Sequence, residues 1–189
     1  MDPRRNPVRR AEKPWPRLAV LPHHVKTGPR LLGTSHRITA RIQRASTADE
    51  GVIVADGGRF GGWSLFIQGN RAHYTVNHYG ERGRVSSSVA LPMGGVTLRV
   101  DVAKVADDEG RIGFFLDGQP SGAGSLAPFR AYNFANEPLE VGRDGQTPVD
   151  DCYESPFPFA GRIVDVVIEA AGDGGVDQET LLEELMGSQ

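Results

Sequence analysis

Apolar residues in this chain recur at every second position over short stretches, and turn-forming residues separate those stretches. In "HRITARIQR" Ile38, Ala40 and Ile42 share one face, while Thr39, Arg41 and Gln43 share the other, as in a half-buried strand. "GVIVAD" (51–56) is short and apolar on both faces, as a central strand would be. "RVSSSVAL" is expected as a strand over 84–91. "VTLRVDV" (96–102) turns Val96, Leu98, Val100 and Val102 inward. "IGFFLDGQP" (112–120) ends in an Asp117-Gly118 turn, and Pro120 marks the following partner as an edge or weak strand. "LEVG" (139–142) is a short strand, and "RIVDVVIEA" (162–170) is expected to place Val164, Val166 and Ile168 on one face. This pattern predicts an all-β sandwich or jelly roll rather than alternating strands and helices.

The best-defined local feature is a hairpin. "WSLFIQ" and "RAHYTV" are separated only by Gly69-Asn70, a pair suited to a tight turn with positive φ. Pairing Gln68 with Arg71 sets Ile67 opposite Ala72, Leu65 opposite Tyr74 and Trp63 opposite Val76. The other face pairs Phe66 with His73 and Ser64 with Thr75. A slip of one residue destroys this sorting, so the register is specified and Trp63 points inward.

The ends differ from the middle. Residues 1–32 are rich in proline and arginine and lack a sustained period, and are expected as an extended arm. The sandwich is expected over 33–171. Residues 172–189 begin with "GDGG" and continue into a short C-terminal helix capped by Asp177, with Leu181, Leu182, Leu185 and Met186 on its apolar face.

Charge sharpens this division. Residues 1–44 hold eleven Lys/Arg against two acids, and the remainder holds ten against twenty-two. A basic arm is compatible with nucleic acid or anionic lipid. No other nucleic-acid module accompanies it, and a solvated leader, or an arm lying on the acidic body, is the simpler reading. No nucleic-acid or membrane partner is expected. The basic start has no apolar stretch behind it, and no run reaches the roughly 18 residues of a membrane span, so a soluble, cytoplasmic chain is expected. The one cysteine, Cys152, excludes an internal disulfide and a cysteine-based zinc site.

Candidate chemistry is sparse. "GGRFGG" (57–62) is followed by a strand, whereas a phosphate cradle needs its loop to open a helix. The glycines fit a tight turn, with Arg59 and Phe60 at its tip. The five histidines have no metal-ligand spacing, and no cofactor is expected. Asp165 and Glu169 share a strand face but lie about 13 Å apart, beyond either glycosidase geometry; they are expected as solvent-facing charges. Acids surround Cys152 in "DDCYE" and are expected to raise its pKa. The long connection within 141–163, rich in Asp and aromatics, has the length of a functional loop. In a purely structural reading, Phe157 and Phe159 close the sandwich edge and Arg143 pairs with one of the acids.

"GVIVADGGRFGGWSLFIQGNRAHYTVNHYG", "FFLDGQ" and "LEVGRDGQTPVDDCYESPFPFAGRI", in that order and spacing, resemble the C-terminal region of long bacterial arylsulfatases. There a concanavalin A-like (laminin G-like) sandwich follows the catalytic domain. "GTSHRITARI" (33–42) fits the opening strand, and the resemblance spans about 33–170. It implies a jelly-roll sandwich with an accessory or remnant role and two partner classes: a sulfatase catalytic domain, or a glycan, sulfated ones included. The family's catalytic Cys-x-Pro-x-Arg has no counterpart, since Cys152 stands in "CYESP", so no catalytic residue carries over and no activity of its own is expected. Arg59, Phe60, Tyr79, Arg143, Asp144, Asp150, Asp151 and Tyr153 are the ligand or domain-interface candidates. In the glycan reading Arg59 meets an anionic group and Phe60 or Tyr79 stacks on a ring.

Overall fold

A computed structural model describes residues 31–131 and 137–170. Ten strands form in chain order: β1 (His36–Arg44), β2 (Gly51–Gly58), β3 (Gly61–Gln68), β4 (Arg71–His78), β5 (Glu81–Ser86), β6 (Gly94–Ala106), β7 (Glu109–Leu116), β8 (Gln119–Leu126), β9 (Glu140–Val141) and β10 (Arg162–Ala170). They make two five-stranded antiparallel sheets, ordered β10-β1-β6-β7-β8 and β5-β4-β3-β2-β9. No helix occurs among the described residues. The short C-terminal helix expected within 172–189 and the arm up to residue 30 lie outside them. Leu31 and Leu32, placed in the arm by sequence, are buried in the main core.

Alternation explains the core. Ile38, Ala40 and Ile42 of β1 meet Val100, Leu98 and Val96 of β6 in register, and all six are buried. Across the sandwich, the β3–β4 hairpin has the expected register from Gln68↔Arg71 to Trp63↔Val76. Trp63, Leu65, Ile67, Ala72, Tyr74 and Val76 all join the same core. Each large buried side chain contributes about 1.5–3 kcal/mol. The turn residues Gly69 and Asn70 take φ of 57° and 59°, as a tight hairpin turn requires.

Two expectations about strands need correction. The strand expected over 84–91 runs instead over 81–86, because the chain leaves the ladder after Ser87, whose N still donates to Ala72 O at 2.8 Å. Ser87 Oγ accepts a bond from Ala72 N at 3.1 Å and donates to Val89 O at 2.9 Å, and the Arg71 guanidinium takes the Ser87 and Ser88 carbonyls. In β10 a register shift opposite Arg41/Ile42 changes the phase. Ile163, Val166 and Ile168 therefore line the core, and Val164 does not.

Edges are short, bulged or interrupted. β9 has two residues, and β8 carries Pro120 beside a register shift. Asp165 is on the outer face as expected but is largely covered, because it pairs with Arg41 directly across the strands. His36 lies wholly inside among Trp63, Tyr74 and Phe129. Its Nδ1–H donates to Thr34 O at 2.7 Å, leaving Nε2 to accept from the Tyr74 hydroxyl at 3.0 Å. Burial lowers its pKa to about 4.

Candidate functional site

The outer face of β2–β4 carries a second, smaller apolar cluster. Val52, Ala55 and Phe66 project outward there and are buried by Val149 and Tyr153 of the long 142–161 connection. Phe157 and Cys152 pack against them. This explains why "GVIVAD" is apolar on both faces. The connection is stitched to β2 by main-chain bonds from Val52 N to Phe157 O (2.9 Å) and Gly142 N to Ile53 O (2.9 Å), and to the residue before β2 by Ala160 N to Glu50 O (2.8 Å). Phe159 packs against the main core.

Within this lid, sequence-selected residues lock the chain. The Tyr153 hydroxyl donates to Asp144 Oδ2 at 2.6 Å, and Ser64 Oγ lies 3.2 Å from the same hydroxyl. Asp144 also accepts from Val149 N at 2.8 Å. Burial pushes the Asp144 carboxyl up to about 6 despite these bonds, while burial and the Asp144 charge push the Tyr153 phenol upward. Asp150 Oδ1 accepts from Cys152 N at 2.9 Å and from Arg84 Nη1 at 3.0 Å. Burial raises the Asp150 pKa, but these donors outweigh it and leave the carboxyl below its ordinary value. Cys152 is pushed up to about 12, first by burial and then by Asp150, which keeps the thiol protonated. Arg143 pairs with Glu140, at 3.0 Å from Nη2. Asp151 sits at the rim, 3.3 Å from Arg82.

The other candidates come together at the surface. Arg59 and Phe60 form the β2–β3 turn, and Tyr79 belongs to the β4–β5 turn beside it, with Tyr79 N donating to Phe60 O at 3.1 Å. Phe60 is 68% exposed and Tyr79 51%. Tyr79 takes a φ of 53°, left-handed backbone that is uncommon outside glycine. Its ring meets His78 edge-on at 5.1 Å. The result is a ridge of two exposed rings with Arg59 next to them.

Asn77, which sequence reasoning passed over, holds this ridge. Its fully buried side-chain amide approaches three carbonyl oxygens: Gly58 and Val149 at 3.1 Å and Arg59 at 3.0 Å. Its Oδ1 accepts from Gly80 N at 2.8 Å. One side chain thus ties together both turns and the lid. Arg59 N adds a bond to Thr147 Oγ1 at 2.9 Å, and Thr147 in turn bonds the Glu137 carboxylate. The glycines of "GGRFGG" serve this packing. A Cβ at Gly58 would strike the Glu137 carboxylate and Thr147 hydroxyl, and one at Gly62 would strike the Asp56 carbonyl. An asparagine before a turn and a lone threonine carry no distinctive sequence pattern, so Asn77 and Thr147 emerge only from the fold.

Eight candidates therefore divide by position. Arg59, Phe60 and Tyr79 form the exposed ridge, Asp144, Asp150 and Tyr153 form a buried lock, and Arg143 and Asp151 are paired at its margins. Among the described residues no group of three His, Cys, Asp or Glu side chains could hold a metal ion, and no helix is long and apolar enough to cross a membrane.

No protein-family model matches the chain, and no curated protein sequence matches it. Its fold is nevertheless shared with solved structures. The carbohydrate-binding module CBM40 of the Ruminococcus gnavus IT-sialidase, bound to α2,3 sialyllactose, superposes with a TM-score of 0.59 at 10% identity, covering 89% of this chain and 95% of that one. The LG1-3 region of the laminin α2 chain gives 0.57 at 13% identity, covering 80% of this chain and 31% of that one. Domains LG4-5 of the mouse laminin α1 chain give 0.52 at 16%, covering 86% and 41%. The chain is an all-β sandwich of laminin G-like fold. At these identities the likeness extends to the fold alone.

Proposed function

We propose that this chain is a non-catalytic accessory sandwich of the arylsulfatase type, which docks onto a catalytic domain through the Arg59–Phe60–Tyr79 ridge. One observation carries the reading: the two long segments that resemble the arylsulfatase C-terminal region, 51–80 and 139–163, are distant in sequence yet meet at the buried amide of Asn77. They share one sheet and its lid, and their joint outer product is an exposed aromatic pair beside a guanidinium. Apolar rings held at fixed positions with an arginine beside them suit protein recognition, in which a few aromatic and arginine anchors dominate the energy.

The test is a titration of the full chain with the catalytic domain of a long arylsulfatase separated from its own sandwich. Saturable association is expected, weakened about tenfold or more by combining Phe60→Ser with Tyr79→Ser. No association, or association indifferent to both changes, overturns the reading. The chain alone is expected not to turn over aryl sulfates.

A second reading has its own support. Fold neighbours covering nearly the whole chain are sialidase carbohydrate-binding modules, and an exposed ring next to Arg59 suits stacking on a sugar with an anionic substituent. Binding to a sulfated glycan that is lost in Arg59→Ala, without association to a catalytic domain, would favour it over docking.

A further inference from the structure

A recess lies along the seam where the edge strands β5 and β8 meet. It is a cleft of about 620 Å³, lined among others by Arg82, Gly83, Arg84, Asp108, Glu109 and Ser125, within the size range of small-ligand sites. The strands meet closely because glycines face the seam: a Cβ at Gly83 would strike the Ala127 carbonyl, and one at Gly124 would strike Val85.

The lining is divided by charge. β5 supplies two guanidinium groups. Arg84 is anchored by the buried carboxylate of Asp150 at 3.0 Å and is itself 42% exposed. Arg82 is anchored through Nε to Val149 O at 3.2 Å and through Nη1 to Gly80 O and Asp151, both at 3.3 Å. The lid therefore fixes both cations from one side. Facing them, the β6–β7 turn and β7 supply carboxylates. Asp108 is held by Arg130 Nη2 at 2.7 Å and by Phe129 N at 3.2 Å. Glu109, at the start of β7, makes no ion pair among the described residues, and Ser125 adds a hydroxyl.

Such a lining asks for a ligand with two kinds of group. Anchored guanidinium groups suit a planar or tetrahedral acid group, which they bind through charge-assisted, often bidentate bonds. Carboxylates accept only, so they suit hydroxyls. Glu109 repels a bare inorganic anion, and a neutral polyol leaves the exposed part of the Arg84 guanidinium, beyond its pair with Asp150, without an acid group to bind. We propose that this seam cleft binds a saccharide carrying a carboxylate or sulfate, its acid group on Arg84 and Arg82 and its hydroxyls on Asp108 and Glu109. None of Arg59, Phe60 and Tyr79 lines the cleft, so ridge docking and cleft binding stand or fall separately.

The experiment titrates 15N-labelled full chain with lactose, 3′-sialyllactose and lactose 3′-sulfate and follows backbone amide shifts. Saturable shifts at 82–84, 108–109 and 125–127 are expected with at least one acidic sugar and not with lactose, and the sugar that binds tells carboxylate from sulfate. Arg84→Gln and Glu109→Gln are each expected to weaken that binding about tenfold, while Met93→Ser, at an exposed position outside both ridge and cleft, leaves it unchanged. Arg84→Gln also strips the partner from buried Asp150, so the half of the test that does not depend on folding rests on Glu109→Gln. Equal shifts from lactose, no shifts with any of the three sugars, shifts confined to 59–60 and 79, or binding indifferent to Glu109→Gln overturns the proposal.

Discussion

Asn77 shows how one side chain fixes a surface it does not belong to. Its amide is shared among three carbonyls and its oxygen caps Gly80, so truncation leaves several buried backbone groups unpartnered. Asn77→Ala is expected to cost about 2 kcal/mol in urea unfolding, and to weaken any ligand of the ridge even though Arg59, Phe60 and Tyr79 are intact. Buried ionisable groups give a second residue-scale expectation. Asp144 has its folded pKa raised to about 6 by burial, so the stability it contributes is complete below its unfolded value near 3.8 and is lost as pH rises through 6. Asp56 has the same sign, raised to about 6 by burial. His36, lowered to about 4, runs the other way: its contribution is present above 6.5 and is lost as pH falls towards 4. Asp144→Asn is therefore expected to raise the melting temperature relative to wild type more at pH 7.5 than at pH 4.5. An equal difference at both pH values would mean that Asp144 is not buried as described.

Among the elements, what was legible in the sequence was what alternation controls. The β3–β4 register follows from sorting Trp63, Leu65 and Ile67 against Ala72, Tyr74 and Val76, and any slip would exchange the two faces. β1 and β6 follow in the same way. A bulge cannot be read from alternation, because "RIVDVVIEA" fits an unbroken strand equally well; only pairing with β1 shows that Ile163 rather than Val164 faces in. Ile163→Ser is accordingly expected to cost about 3 kcal/mol and Val164→Ser less than about 1, measured by urea unfolding. The reverse order would restore the unbroken strand. The end of β5 is not legible for a related reason: a run of serines has no face to sort, and at Ser87 the hydroxyl rather than the carbonyl takes the Ala72 N–H, so the ladder ends there. Arg44 is an element-scale device of a different kind. It is buried and donates only to main-chain oxygens, at 3.0 Å to Leu91 and 2.8 Å to Thr47, so it joins the loop after β1 to the loop before β6. Arg44→Met removes those donors without emptying the space, and is expected to destabilise by about 2 kcal/mol.

For the whole molecule, the sandwich resolved into a scaffold and a lid. Sequence placed Arg59, Phe60 and Tyr79 as surface candidates, but it could not bring them together, because their adjacency depends on two turns and a lid meeting at Asn77. It also grouped Asp144, Asp150 and Tyr153 with them, although those side chains are turned inward and bond one another or the lid backbone. Acid-rich loops read alike whether their carboxylates face solvent or close a buried network. The exposed ridge, set on the two-sheet core, is the surface through which we propose that the chain meets its partner. The decisive measurement is an amide hydrogen-exchange footprint of the full chain with and without a sulfatase catalytic domain lacking its own sandwich. Slowed exchange confined to 57–62, 77–81 and the neighbouring 145–149 is the predicted result. Slowed exchange on the outer face of β1 and β6, with the ridge unchanged, would contradict it.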